Sequence, residues 1–415
     1  MSRVRRSLAA AATSLLVLAS LSSLPRAAGD VPSGPGESLA GGPRPTVHSS
    51  DGIRGPLLSD FPRRARMSGA RLDEIGWQVA PGLDYSQWTE IAAQGPTRIF
   101  VLTAHLEEPG LVLDQVSGPT ISARAPLSQW LTDDGDIAGV NADFFDIEDT
   151  GAPLGVGADR EQRVLHAPRS GWNTTFILGR GYTPDVVQDR LVAKVTPRAG
   201  RAIAISNYNS PTVALQGIGL YTPAWGLAPG KRVVGGATRL RQVVIRNGVV
   251  VSNGTKVSSG RSFSGYVLVG RGKGATALKA LRVGRHAAVH KSLSVAAHVA
   301  VSGSTQLLRN GAITTTDNAQ LHPRTAIGID RDQRLLHLVV VDGRSENSGG
   351  QTLLQLAGLL RSLGDEEGLN LDGGGSSTMI ARDPAGSVAV RNQPSDGHER
   401  AVPNGLGFRY VAPAK

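Results

Sequence analysis

From about residue 97 onward, short apolar runs alternate with polar turns rich in glycine. Thr97-Arg-Ile-Phe-Val-Leu-Thr-Ala-His-Leu106 is β-branched and aromatic enough to predict a strand. Tyr266-Val-Leu-Val-Gly270 predicts another. In the stretch 241–254 two apolar runs flank Asn247-Gly248. That dipeptide tolerates the positive φ angles of a two-residue hairpin turn. Gly270, Gly272 and Gly274 lack the spacing of a phosphate loop and read as a turn before a helix over 275–281. No fixed-period repeat is present.

The C-terminal third has the clearest pattern. Leu335-Leu-His-Leu-Val-Val-Val341 predicts a buried strand. Over 351–363, Leu353, Leu356, Ala357, Leu360 and Leu363 fall on one helical face, and Gly364 is a natural stop. Gly368-Leu-Asn-Leu371 predicts a second strand. Strand, helix and strand in this length predict a βαβ unit with a right-handed crossover. Asp342 and Asp372 would then lie side by side at the carboxyl edge, where α/β sheets place ligands. The fold class expected is α+β: a mixed β-sheet with packed helices, including a C-terminal βαβ unit that brings Asp342 and Asp372 to one edge.

Composition adjusts this picture at the ends. Arg3, Arg5 and Arg6 precede an apolar run from Leu8 to Leu21, and Ala27, Ala28 and Gly29 follow. That order predicts a secretory signal over 1–28, with a retained N-terminal anchor as the alternative. Residues 29–76, rich in Gly, Pro, Ser and Arg at their start, read as a flexible tether. Residues 77–415 read as the folded domain, with order beginning near Trp77. Four of the net +10 charges belong to Arg3, Arg5, Arg6 and Arg26, which leaves +6 for the rest. No basic stripe with interleaved aromatics argues for nucleic acid. Once a signal is removed, no stretch has the roughly 20 apolar residues of a membrane span. The absence of cysteine excludes disulfides, a thiol nucleophile and thiolate metal sites.

Four segments carry candidate chemistry. The first is Leu369-Asn-Leu-Asp-Gly-Gly-Gly-Ser-Ser-Thr-Met379, which sets Asp372 beside Gly373, Gly374 and Gly375 and the hydroxyl of Ser376. Glycines let a ligand approach closely, and successive free N–H groups form an anion-binding nest. Asp342 is its proposed carboxylate partner. Gly139-Val-Asn-Ala-Asp-Phe-Phe-Asp146 packs Asn141, Asp143 and Asp146 together, too tightly for an EF-hand loop. Arg324, in His322-Pro-Arg-Thr325, could clamp a phosphate. The tail Pro394-Ser-Asp-Gly-His-Glu-Arg-Ala401 reads as a loop. There is no Gly-x-Ser-x-Gly elbow and no His-Glu-x-x-His motif.

In this order, these segments resemble the phosphodiester glycosidase family, the domain of the lysosomal uncovering enzyme. The resemblance runs from roughly residue 77 to residue 408. It implies a secreted hydrolase that cleaves the glycosidic bond of a sugar-1-phosphodiester in a cell-wall or exopolysaccharide glycan. Asp372 and Asp342 would be the carboxylates at the reacting centre, with Asp143 a third contender. Arg324, the N–H groups of Gly373 to Gly375 and the Ser376 hydroxyl would hold the phosphate. Asn141 would bind the sugar. A divalent cation bridging the acidic groups is the alternative to unaided carboxylates. The rival functions are a non-catalytic wall-glycan binding protein and a phosphodiesterase that cuts P–O.

Overall fold

A computed structural model describes residues 68–413, apart from residues 93 and 162. The export signal expected over 1–28 and most of the tether over 29–76 lie outside the described residues. The first described strand, Ser68–Ala80, begins ahead of Trp77.

The expected α+β class is overturned. Among the described residues 46% are in strands and 10% are helical. The α-helices are the short segments Leu127–Asp134, Lys273–Ala277 and Leu353–Ser362. Most apolar runs here are too short to build several helical turns, and turns chemically suited to hairpins bound many of them. Asn247 and Gly248 adopt φ of 48° and 74° and join the strands Leu240–Arg246 and Val249–Gly254 as an antiparallel pair. The helix predicted over 351–363 forms as Leu353–Ser362. It starts with a capping box in which Thr352 Oγ1 accepts from the Gln355 N–H and Gln355 Oε1 accepts from the Thr352 N–H.

The predicted strand, helix and strand form and the two strands run in the same direction, but they are not neighbours. In an eight-stranded sheet, Arg324–Asp330 lies between Leu335–Val341 and Glu367–Asn370 and is antiparallel to both. The two outer strands of this trio therefore run in the same direction without pairing. Their carboxyl ends share one edge with the start of the middle strand, so Asp342, Arg324 and Asp372 follow or begin strands at one edge of the sheet.

Alternation along these strands divides their side chains between two cores. Ile327, Leu338, Val340 and Leu369 face a core shared with Val140, Met379 and Leu406 of a five-stranded sheet. Ala326, Val339 and Val341 face the opposite way, onto Leu356, Ala357 and Leu360 of the helix. A ten-stranded sheet and a three-stranded sheet contribute most of a third core, around Leu220, Val243 and Leu268.

Candidate active site

Asp342 follows the buried strand directly and is itself 2% exposed. Its Oδ1 accepts from Asn392 Nδ2 and from the Gln393 N–H, both at 3.0 Å. Arg98 Nη1 stands 3.6 Å from Oδ2. Burial dominates these stabilising partners and raises the carboxyl from 3.8 to about 6. Asn392 also donates to Ser377 O at 3.0 Å and accepts from the Met379 N–H. Asp342 is thus tied to the segment that follows the glycine run.

Asn141 is buried and serves as a brace. Its Oδ1 accepts from Thr325 Oγ1 at 2.9 Å and from the Thr378 N–H at 3.1 Å, and its Nδ2 donates to Asp372 O at 2.6 Å. Ser377 Oγ lies 3.3 Å from Thr325 Oγ1, whose proton is committed to Asn141, so the Ser377 hydroxyl donates. These bonds make a polar network from Asn141 through Thr325 and Ser377 to Asn392 and Asp342. They also commit most of the bonding capacity that sugar recognition by Asn141 would use.

Asp143 lies deeper. Its Oδ1 accepts from the Ser302 N–H and its Oδ2 from Asn404 Nδ2, both at 2.6 Å. Burial raises it to about 7, against those hydrogen bonds, and the neighbouring charge of Asp372 adds to the rise. His166 Nε2 stands 3.7 Å from Oδ2. Burial lowers this histidine to about 4, and its Nδ1 pairs with Gly155 O at 2.9 Å. A neutral imidazole with a protonated Nδ1 presents its Nε2 lone pair to the carboxyl. His166 had no signal in the sequence: it is a lone histidine brought close by strand pairing.

Arg324 takes an unexpected position. Its Nε donates to Gln351 O at 2.9 Å and its Nη2 to Gln320 O at 3.1 Å. Its neighbour Thr325 reaches Asn141 and Ser377, so strand alternation directs Arg324 to the other face. Beside it, burial and the charges of Arg324 and Arg344 lower His322 to about 3.

The glycine run forms a short 3-10 turn, Gly374–Ser376. The Gly374 N–H, expected to face a ligand, donates to Pro323 O at 2.9 Å. Gly375 gives room to a side-chain pair: a Cβ there would overlap Asp396 and the guanidinium of Arg400 and push them aside. Arg400 donates from Nε and Nη2 to Asp396 Oδ2 at 2.9 and 2.7 Å. Its Nη1 and the Ser376 Oγ are buried polar atoms with no hydrogen-bond partner. Arg400 belongs to the tail read from sequence as a loop, and only its position over Gly375 singles it out. Asn392 and Gln393, the two donors to Asp342 Oδ1, line a cleft of about 410 Å³ together with Pro394 and His398.

Asp342 and Asp143 do not fit a cation as they stand. The oxygens of Asp342 and Asp143 accept from N–H donors, and Asp342 also faces Arg98, where a metal would need further oxygen ligands. Among the described residues no group of three or more acidic or histidine side chains is arranged to hold a metal ion.

Residues 230–409, less than half of the chain, match the phosphodiester glycosidase family. The chain carries a phosphodiester glycosidase domain there, which includes Asp342, Asp372 and Arg400. Asn141 and Asp143 lie outside the matched span. Over 89 residues, 21% of this chain, it is 42% identical to an SPbeta prophage-derived uncharacterized protein of Bacillus subtilis (strain 168), and the match covers 13% of that relative. A hypothetical protein from Synechocystis superposes with a TM-score of 0.66 at 22% identity, over 80% of this chain and 63% of that one. A protein from Burkholderia pseudomallei K96243 superposes with a TM-score of 0.67 at 18% identity, over 86% of this chain and 99% of that one. At such identities the two structures share the fold alone.

Proposed function

We propose that this protein is a secreted hydrolase that cleaves the glycosidic bond of a sugar-1-phosphodiester in a cell-wall or exopolysaccharide glycan. The observation that carries this reading is Asp342, a buried carboxyl raised to about 6 and held by Asn392 and Gln393 of a cleft wall, within the phosphodiester glycosidase domain. The pattern of residues 1–28 supports export.

Water attacks the anomeric carbon and Asp342 takes its proton. The bond from that carbon to the phosphate oxygen breaks, and its electron pair leaves with the phosphate. The products are a reducing sugar and a phosphomonoester. A phosphomonoester is a good leaving group, so little acid assistance is needed. Asp372, on the other carboxyl-directed strand end, flanks the developing positive charge. Asp143 acts through Asp372 as a positioning residue, and Asn141 holds the Asp372 turn. Arg400 Nη1 and Ser376 Oγ hold the phosphate, the role expected of Arg324 from sequence.

Incubation with UDP-N-acetylglucosamine or a teichoic-acid-like phosphodiester tests the proposal, with release of free sugar as the expected result. Saturable binding without release would identify a glycan-binding protein instead. Solvent oxygen-18 appearing in the phosphate would identify P–O cleavage.

A further inference from the structure

Between Arg190 and Thr316 the chain has eighteen lysines and arginines and no aspartate or glutamate. All 34 acidic residues lie outside this stretch, with Asp185 and Asp189 just before it and Asp317 just after. A genome that favours arginine codons explains arginine over lysine. It does not explain the loss of acidic residues from one stretch alone.

The fold gathers these charges. The Asn247-Gly248 turn of one hairpin meets the start of the strand Ala287–Leu293: the Ala287 N–H donates to Gly248 O at 2.8 Å, and the Val250 N–H donates to Arg285 O at 3.0 Å. The Arg198 N–H donates to His286 O at 2.9 Å. Arg198, Arg246, Arg282 and Arg285 therefore share one exposed end of these sheets. Next to it, Lys194 and His290 are register partners in the three-stranded sheet, and both are exposed. Among the described residues, only Arg232 of the whole basic set closes a salt bridge, with Asp149.

We infer that this face docks a polyanionic chain of phosphodiester-linked repeats. A regularly charged chain gains from many separate arginines, each able to take a phosphate bidentately, with no single pocket required. Duplex or single-stranded nucleic acid fits less well. The helix in this stretch, Lys273–Ala277, is too short to read a groove, and no aromatic of the stretch is exposed: Tyr208, Tyr221 and Trp225 are buried, Phe263 and Tyr266 half-buried. Only the choice of phosphodiester polymer rests on the proposed function; the docking itself is read by binding, without turnover.

The test uses the full chain and poly(glycerol phosphate) at low and at physiological salt. The variant carries Arg198→Glu, Arg246→Glu, Arg282→Glu and Arg285→Glu; a second carries Gln at the same four positions and guards against misfolding. Wild-type protein should bind with an affinity that falls steeply with salt. The Glu variant should bind at least tenfold more weakly and the Gln variant should fall between, both with unchanged melting temperature. Hydrolysis of UDP-N-acetylglucosamine should be as in wild type. Polymer binding that survives in the folded Gln and Glu variants would overturn the inference. So would tighter wild-type binding to a DNA duplex or to phosphatidylglycerol vesicles at matched charge and salt. Loss of hydrolysis in wild type with polymer binding intact would count against the hydrolase reading alone.

Discussion

Asn392 Nδ2 donates at 3.0 Å to Asp342 Oδ1 and at 3.0 Å to Ser377 O. One side chain from the C-terminal tail thereby couples the carboxylate after one strand to the hydroxyl-rich turn after another. Its amide is the side-chain hydrogen bond that favours the charged form of Asp342 against burial.

The pH profile follows from that balance. As a base, Asp342 must be ionised, and its proton leaves at about 6. The profile of kcat/KM should fall about tenfold per pH unit below that point and level off above it. Asn392→Leu removes a bond that lowers the carboxyl, so the acid limb should move to higher pH. Asp342→Asn should lose on the order of 10²-fold or more in kcat while the protein stays folded. A limb unmoved in Asn392→Leu, or wild-type turnover in Asp342→Asn, would remove Asp342 from the role of base.

Gly375→Ala should displace the Asp396–Arg400 pair, because the new Cβ overlaps both side chains. Steady-state kinetics should show KM for a phosphodiester substrate raised at least tenfold. Arg400→Lys should reproduce the rise in KM, since an ammonium cannot keep two donors on Asp396 and also offer the fork geometry of Nη1 to a phosphate. Arg324→Lys should leave KM within about twofold, because its Nε and Nη2 are held by the backbone carbonyls of Gln351 and Gln320.

Stereochemistry tests the placement of the two carboxylates. Asp342 and Asp372 follow strands separated by a third, so their backbones stand roughly 10 Å apart at about 4.8 Å per strand. Single displacement by the water that Asp342 activates predicts inversion at the anomeric carbon. Proton NMR of the first-formed sugar decides the matter, and retention would require a closer pair.

Asp136 offers a stability test away from the site. Both its oxygens are buried without a hydrogen-bond partner, and burial raises it from 3.8 to about 7 despite Arg409. The folded state holds this proton more tightly than the unfolded chain. Stability therefore falls as pH rises from about 4 to about 7, and the loss is complete above 7. Asp136→Asn removes that dependence and should raise Tm by a few degrees at pH 8 but much less at pH 4.5, as measured by thermal melts.

Local chemistry was legible wherever its cause was local. The runs 335–341 and 351–363 contain their own periodicity, and the observed strand Leu335–Val341 and helix Leu353–Ser362 follow it. Asn247-Gly248 contains its own turn, and the order of motifs identified the family of the domain at 230–409. The fold class went wrong because one well-formed helix was taken to represent the whole, while the remaining short runs found partners far along the chain. The insertion of Arg324–Asp330 between two co-directional strands has no local signature, since strand order depends on long-range pairing.

By itself the sequence offered the candidate site groups, Asp342, Asp372 and the glycine run, and it contains a stretch of 127 residues without an acidic side chain. Tertiary structure decided which groups face one another. A period of two residues along Arg324–Asp330 sends Thr325 into the polar network and Arg324 out of it. The bare Cα of Gly375 admits Arg400 from a segment of the tail. Those outcomes depend on strand order and on the absence of one methyl group at a contact, and neither is defined until the chain has closed on itself.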